Sequence, residues 1–299
     1  MAIPQIGQVV LWMIGTLLSF SVMAVSIREL SAKLGIMEIL VVRAATGLLI
    51  VGALAALRQQ LRRTVNAKRA GLHIWRNAIH FGAQYLWATS LLLLPLATVF
   101  ALEFTMPAWT MLLAALVLGE SMTRSRVGAV VLGLCGVLVI LRPGIETFHP
   151  AALLVLAAAL GYSAQNIATK QLTTTETTFA IVLWMNVIQL PLALAGADLS
   201  FPAKLGVHEL PALLGLGIAG VSAHYCLSNA FRVGDASLVV PLDFLRIPLI
   251  AVVGWWLYAE PLDLYVFAGA ALIILGLVWN LRSEAHKAAT LALEETGFP

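Results

Sequence analysis

Ten apolar stretches, each near the length needed to cross a bilayer, take up almost all of this 299-residue chain. A spanning helix needs about 20 mostly apolar residues, because the hydrocarbon core is about 30 Å thick and a helix rises about 1.5 Å per residue. The stretches lie near 6–28, 35–58, 71–93, 97–118, 126–142, 150–170, 178–196, 210–231, 236–258 and 263–281. Between them stand charges and helix breakers, such as the run from Arg58 to Arg69, Pro143-Gly144, Gly234-Asp235 and Glu260-Pro261. No length remains for a separate water-soluble domain. The 11% of charged residues is less than half the roughly 25% of an ordinary soluble domain. A soluble globular enzyme, a disordered chain and a disulfide-rich secreted domain are therefore excluded. The net charge of +3 is not gathered on a polar domain, so no nucleic-acid partner is expected. The expected fold class is an all-α polytopic membrane protein with ten transmembrane helices.

Basic residues flanking spans favour the cytoplasmic side. With the N-terminus inside, the inner loops and ends hold Arg58, Arg62, Arg63, Lys68, Arg69, Arg76, Arg124, Arg126, Lys170, Arg232, Arg282 and Lys287. The outer side holds only Arg28, Lys33, Arg142 and Lys204. Both termini are therefore expected in the cytoplasm, with the protein multi-pass in a bacterial inner membrane. The first stretch lacks a basic leader and is read as a retained span. Cys135 and Cys226 fall within spans, which implies neither a disulfide nor a metal site, and no cofactor is expected.

Shifting the chain by 140 residues aligns the stretch from Ala83 with that from Ala223 without a gap. Tyr85 then meets Tyr225, Leu102-Glu103-Phe104 meets Leu242-Asp243-Phe244, and Glu120 meets Glu260. Gly136 meets Gly276, and Leu141-Arg142 meets Leu281-Arg282. The chain divides into a five-helix repeat over 1–142, a second over 143–283 and a polar tail over 284–299, read as cytoplasmic and mobile. Five is odd, so the second repeat enters the membrane from the opposite side. Two inverted halves can exchange conformations and open one site alternately to each side.

Each repeat ends on a proline in the fourth helix, a Glu at that helix's end and a Gly-rich fifth helix. Here these are Pro107 to Glu120 followed by Gly128, Gly133 and Gly136, and Pro248 to Glu260 followed by Gly269 and Gly276. The pattern resembles the EamA-type ten-helix members of the drug/metabolite transporter superfamily over nearly the whole chain. The segment His80 to Ser90 and the membrane tryptophans are similar to the bacterial aromatic amino acid exporters. The resemblance implies a transporter that exports amino acids, aromatic ones included, and not an enzyme. An alternative keeps the fold and changes the cargo to another metabolite, a drug or a lipid-linked sugar. A membrane-embedded enzyme would need clustered carboxylates, a metal motif or a nucleophile beside a base, and the sequence has none. The expected partners are the lipid bilayer and a small amino acid. The sequence sets no oligomeric state, and a monomer is compatible with it.

Polar side chains facing lipid have no partners, so polar stripes on spans should face inward. The third helix has Asn77, His80 and Gln84 on one face, with Tyr85 and Trp87 following. The eighth has His224, Tyr225, Ser228 and Asn229, with His224 aligned to Gln84 by the repeat. Ser19 on the first helix, Tyr162 and Asn166 on the sixth, and Trp184, Asn186 and Gln189 on the seventh add further polar groups. Trp109 and Trp184 lie deep in their stretches and offer flat apolar walls for an aromatic cargo. For each the plainer reading is interhelical glue or core packing. Four charges lie within spans: Arg43, Glu103, Asp243 and Arg246. Arg43 and Glu103 stand at comparable depth from the outer side and could pair, and Asp243 and Arg246 at i, i+3 could pair directly. These pairs brace the halves, or Glu103 or Asp243 takes up a proton and couples transport to a gradient. Pro107, Pro241 and Pro248 interrupt equivalent helices and are the expected hinges, with Gly82 and Gly220 as softer points.

Overall fold

A computed structural model describes residues 5–66, 68–93, 102–141, 150–258 and 264–296. All regular structure in them is helical. The main helices are α1 (Gln5–Leu30), α2 (Ile36–Leu57), α3 (Ala70–Leu93), α4 (Met106–Leu113), α5 (Arg124–Leu141), α6 (Ala152–Thr173), α7 (Thr178–Leu194), α8 (Leu210–Val233), α9 (Arg246–Tyr258) and α10 (Leu264–Thr296). Six segments among the described residues are long and apolar enough to cross a bilayer on that ground alone. The shorter or more polar ones are α3, α5, α7 and the segment Met106–Leu118. Leu49, Leu57, Leu116, Leu214, Phe267 and Trp256 stand exposed on the outer surface. An apolar exterior of this extent calls for an apolar solvent.

The helices pair across the two halves of the chain. α1 lies against α8 and α3 against α6; α2 lies against α7 and α5 against α10. Exchanging the halves turns the first pair into the second and maps the other two onto themselves, the pattern a pseudo-twofold axis produces. Small residues allow the closest approach, between α5 and α10. A Cβ on Gly136 would lie 2.6 Å from the Gly269 carbonyl oxygen, and one on Gly276 would lie 2.9 Å from Leu132. Where tails of similar polarity surround a bundle, such dispersion contacts take the place of the hydrophobic effect.

The fourth and ninth segments are broken rather than bent. Pro107 sits in the first turn of α4, which continues as a π-turn over Ala114–Leu118 and stops at Gly119 with φ 69°. That left-handed stop suits glycine, which has no Cβ to clash. Pro241 opens the 3-10 turn Val240–Leu245, and Pro248 lies in the first turn of α9. A first-turn proline loses no intrahelical hydrogen bond, so all three prolines start helices instead of kinking them. The tail expected to be mobile continues α10 as helix to Thr296. Arg142 and Glu260, and the repeat matches that rest on them, lie outside the described residues.

Candidate functional site

Halfway along the bundle, α2, α3, α7 and α8 bring five polar side chains, Arg43, Gln84, His80, Gln189 and His224, into one chain of contacts. The Arg43 Nη2 donates to Gln84 Oε1 at 3.0 Å and to Gln189 Oε1. An arginine only donates, so it fixes the Gln189 amide with its oxygen toward Arg43. Gln189 Nε2 then donates to His80 Nδ1 at 2.7 Å, which makes His80 a neutral ring with its proton on Nε2. The His80 ring stands 5.0 Å from that of His224 and 5.9 Å from that of Tyr162. The stem of Arg43 lies on Gly220, one turn before His224 on α8. A Cβ there would lie 3.1 Å from Arg43 Cγ, so glycine lets the arginine pass close to the α8 backbone. One turn from His80 on α3, Arg76 donates to Thr169 Oγ1 at 2.7 Å and Asn77 Oδ1 at 2.9 Å.

This cluster is cationic without a counter-charge. Arg43 is 4% exposed and Arg76 1%, and neither meets a carboxylate among the described residues. Arg43 Nε and Nη1 and both ring nitrogens of His224 are buried with no hydrogen-bond partner. Each such buried group forfeits about 1–3 kcal/mol of lost solvation.

The second cluster is anionic on balance. Arg246 Nη2 lies 3.1 Å from Glu103 Oε1 and 3.1 Å from Asp243 Oδ2. Trp87 Nε1 donates to Glu103 Oε2 at 2.7 Å. The Arg246 guanidinium also covers the rings of Phe20 and Phe104 at 5.4 and 5.2 Å. Phe20 in turn stands edge-on to His224 at 5.9 Å and so separates the two clusters. The rings of Phe104 and Phe244, equivalent residues of the two repeats, stack at 5.9 Å with 27° between planes.

Several sequence expectations need correcting. Arg43 does not pair with Glu103: Arg246 takes that carboxylate, and amides hold Arg43. The expected Asp243–Arg246 pair is present. Arg76 is no loop residue but buried in α3, which weakens the inside count by one. Trp184 donates to the Asn66 carbonyl at 3.0 Å, so it serves the α2–α3 connection at one end of the bundle. Tyr85, Trp109 and Tyr225 are 44%, 38% and 41% exposed and join neither cluster by a hydrogen bond, although Tyr225 stands edge-on to Trp12. Asn77 donates to the His73 carbonyl and Asn186 to the Val182 carbonyl, both within their own helices. Asn166 reaches Met106 Sδ at 3.9 Å. Ser19 bonds Ser222 at 2.9 Å between α1 and α8, as helix glue does. Tyr162, His80, Gln84 and His224 are brought together. Sequence reasoning missed Phe20 altogether, and it named Gln189 without singling it out.

The two ends of the bundle differ. At the end holding the α2–α3 connection, Arg126 bonds Asp235 at 2.9 Å and Glu284 at 3.1 Å, and Glu120 accepts from the Ala236 amide at 2.9 Å. Lys170 caps the α8 carbonyls of Phe231 and Gly234. At the other end, a groove of about 560 Å³ opens between α1, α8 and α9. Glu29, His208 and Glu209 stand at its mouth, and Leu18, Val22, Leu249 and Val253 form its walls.

The EamA-like transporter family matches residues 7–142 and again 149–282. A riboflavin transporter of Rhizobium johnstonii is 29% identical over 93% of this chain and 92% of its own. A pseudopaline exporter of Pseudomonas aeruginosa is 28% identical over 87% and 91%. An S-adenosylmethionine uptake transporter of Rickettsia felis is 26% identical over 75% and 76%. A solved crystal structure, 19% identical, overlays 91% of this chain and 95% of its own with a TM-score of 0.75, a likeness of fold.

Proposed function

The chain belongs to the EamA-like transporter family, and on that premise we propose that it exports amino acids, aromatic ones among them, from the cytoplasm by alternating access. The observation that carries the reading is the buried mid-bundle cluster where Gln84, His80, Tyr162 and His224 meet at the crossing of helices from both repeats. Hydrogen-bonding groups flanked by flat rings suit a cargo with a polar head and an apolar or aromatic side chain. In the proposed orientation, with both termini in the cytoplasm of a bacterial cell, the Arg126 ties would hold the inner end and the apolar groove would lie toward the outer end. Rocking one repeat against the other would open the inner end and close the groove.

The relative named as an S-adenosylmethionine uptake transporter supports a cargo with an amino acid group, and the relative named as a pseudopaline exporter supports the outward direction. The relative named for riboflavin supports a second reading, a larger planar ring carried by the same site. Flux in proteoliposomes holding only the purified protein separates them. Labelled phenylalanine and threonine are loaded singly, with riboflavin as the third cargo. Saturable phenylalanine flux that Gln84→Ala lowers at least tenfold supports the amino acid reading. Riboflavin flux without amino acid flux overturns it.

A further inference from the structure

We propose that Arg43 anchors a carboxylate of the cargo, so that this transporter selects small organic anions and zwitterions over neutral and cationic compounds. The inference rests on the carrier reading above and adds the charge of the cargo to it. Arg43 is buried at mid-bundle, and only neutral amides, Gln84 and Gln189, accept its hydrogen bonds. Both bonds use Nη2, which leaves the Nε and Nη1 hydrogens without an acceptor. A buried guanidinium normally finds a carboxylate or a phosphate, because charge-assisted hydrogen bonds offset its desolvation. Arg246 shows the usual outcome in the same bundle, with two carboxylates at 3.1 Å. Arg43 lacks one among the described residues, and the nearby Arg76 adds a second positive charge with no acid. The two vacant ring nitrogens of His224, one turn beyond the Arg43 stem on α8, supply a neutral partner for the rest of a polar head group. A cargo carboxylate would accept from Arg43 Nη1 while its apolar part lies against Phe20 and Tyr162, whose rings stand beside those of His224 and His80.

The two glutamines explain why the charge remains available. They hold the guanidinium in place through their oxygens without neutralising it, and Gln189 passes the constraint on to His80. A carboxylate in either position would pair with the arginine and compete with the cargo.

The test is thermal protection of the purified protein in detergent, read without transport. The probes are L-phenylalanine and phenylacetate, their carboxamide counterparts L-phenylalaninamide (which keeps its amine) and phenylacetamide, riboflavin and inorganic phosphate. Both carboxylates are expected to raise the melting temperature, and each amide to do so only at concentrations at least tenfold higher. Arg43→Gln is expected to abolish the protection and Arg43→Lys to retain part of it. The comparison of acid with amide on the unmutated protein stands even where a variant fails to fold. Equal protection by acid and amide overturns the proposal, as does undiminished protection in a folded Arg43→Gln protein. Protection by riboflavin alone, or by no carboxylate in the set, overturns it too. Protection by phosphate but not by the carboxylates moves the site to a phosphate-bearing cargo and overturns the carboxylate assignment. Phenylacetate protection without phenylalanine protection keeps the anion site and removes the amino acid reading, so the two fail separately.

Discussion

Arg43 and Arg246 both lie near the centre of this bundle, the first buried and the second partly so, and they meet their surroundings in opposite ways. Arg246, in the second half, sits between Glu103 of the first half and Asp243 of its own, with Trp87 holding Glu103 from behind. Arg43, in the first half, sits between two glutamines. Phe20 stands between the two systems, under Arg246 on one side and edge-on to His224 on the other. The first arrangement is paired: its arginine meets two carboxylates and ties the halves together, with only Arg246 Nε and Asp243 Oδ1 left without a hydrogen-bond partner among the described residues. The second is open: it keeps a charge that nothing nearby cancels. A strut needs the first kind of arginine, and a binding site can use the second.

The comparison breaks most easily at the strut. Arg246→Gln would leave Glu103 and Asp243 buried side by side, and removing one partner of a buried pair costs about 3–5 kcal/mol. Thermal unfolding should show that loss, with Arg43→Gln costing less than half as much because it leaves no charge unpaired. Equal losses would mean that both arginines are struts.

A smaller effect is expected at the glutamines. Gln189→Leu removes an acceptor from Arg43 and a donor from His80, a loss of about 1–3 kcal/mol. Phenylalanine binding should weaken with it, measured as the concentration giving half-maximal thermal protection. Unchanged binding would take Gln189 out of the site.

Glu103→Gln keeps the shape of the strut and leaves Asp243 to pair with Arg246, so about 1–2 kcal/mol is expected from the lost charge-assisted bond. The response of flux to an imposed pH gradient should not change. Flux that stops responding would make Glu103 a proton carrier and reopen the strut reading.

The wall between the clusters gives the next effect. Phe20→Leu removes a cation–π contact worth about 0.5–2 kcal/mol, and its cost should appear in stability. The smallest effect is a control: Trp184→Phe gives up one hydrogen bond to Asn66, about 1 kcal/mol, at the bundle's end. Phenylalanine protection should be unaltered. A change would restore Trp184 to the binding site.

Much of this arrangement was legible in the sequence, and the failures have a common cause. Apolar length located the six segments able to cross a bilayer among the described residues, and the 140-residue shift located the two repeats, because both are properties of the chain in order. Asp243 and Arg246 were legible as a pair because they share a helix face three residues apart. Arg43 and Glu103 were matched by depth alone. Depth is one coordinate of three, and α2 packs against α7 and α8 while Glu103 lies beside Arg246. Tyr85 stood out by its repeat match to Tyr225, yet five residues from His80 at about 100° each turn it far off the face of the α3 stripe. Trp184 was judged by its place in an apolar stretch, but its long side chain reaches back to the Asn66 loop. Phe20 carried no signal, since a phenylalanine in an apolar helix looks like any other lipid-facing or core residue. The tail looked mobile because it is polar, but Glu284 on it is held by Arg126.

The stacked rings of Phe104 and Phe244 have one further consequence. They occupy the same position in the two repeats, so the contact between them is its own image when the repeats trade conformations. The ties described at the two ends join groups that are not images of each other and, under that proposed exchange, would have to be remade on the opposite side. In the alternating access proposed above, the ring pair, like the self-image packing of Gly136 and Gly276 between α5 and α10, could stay shut from one state to the other, turning like a bearing.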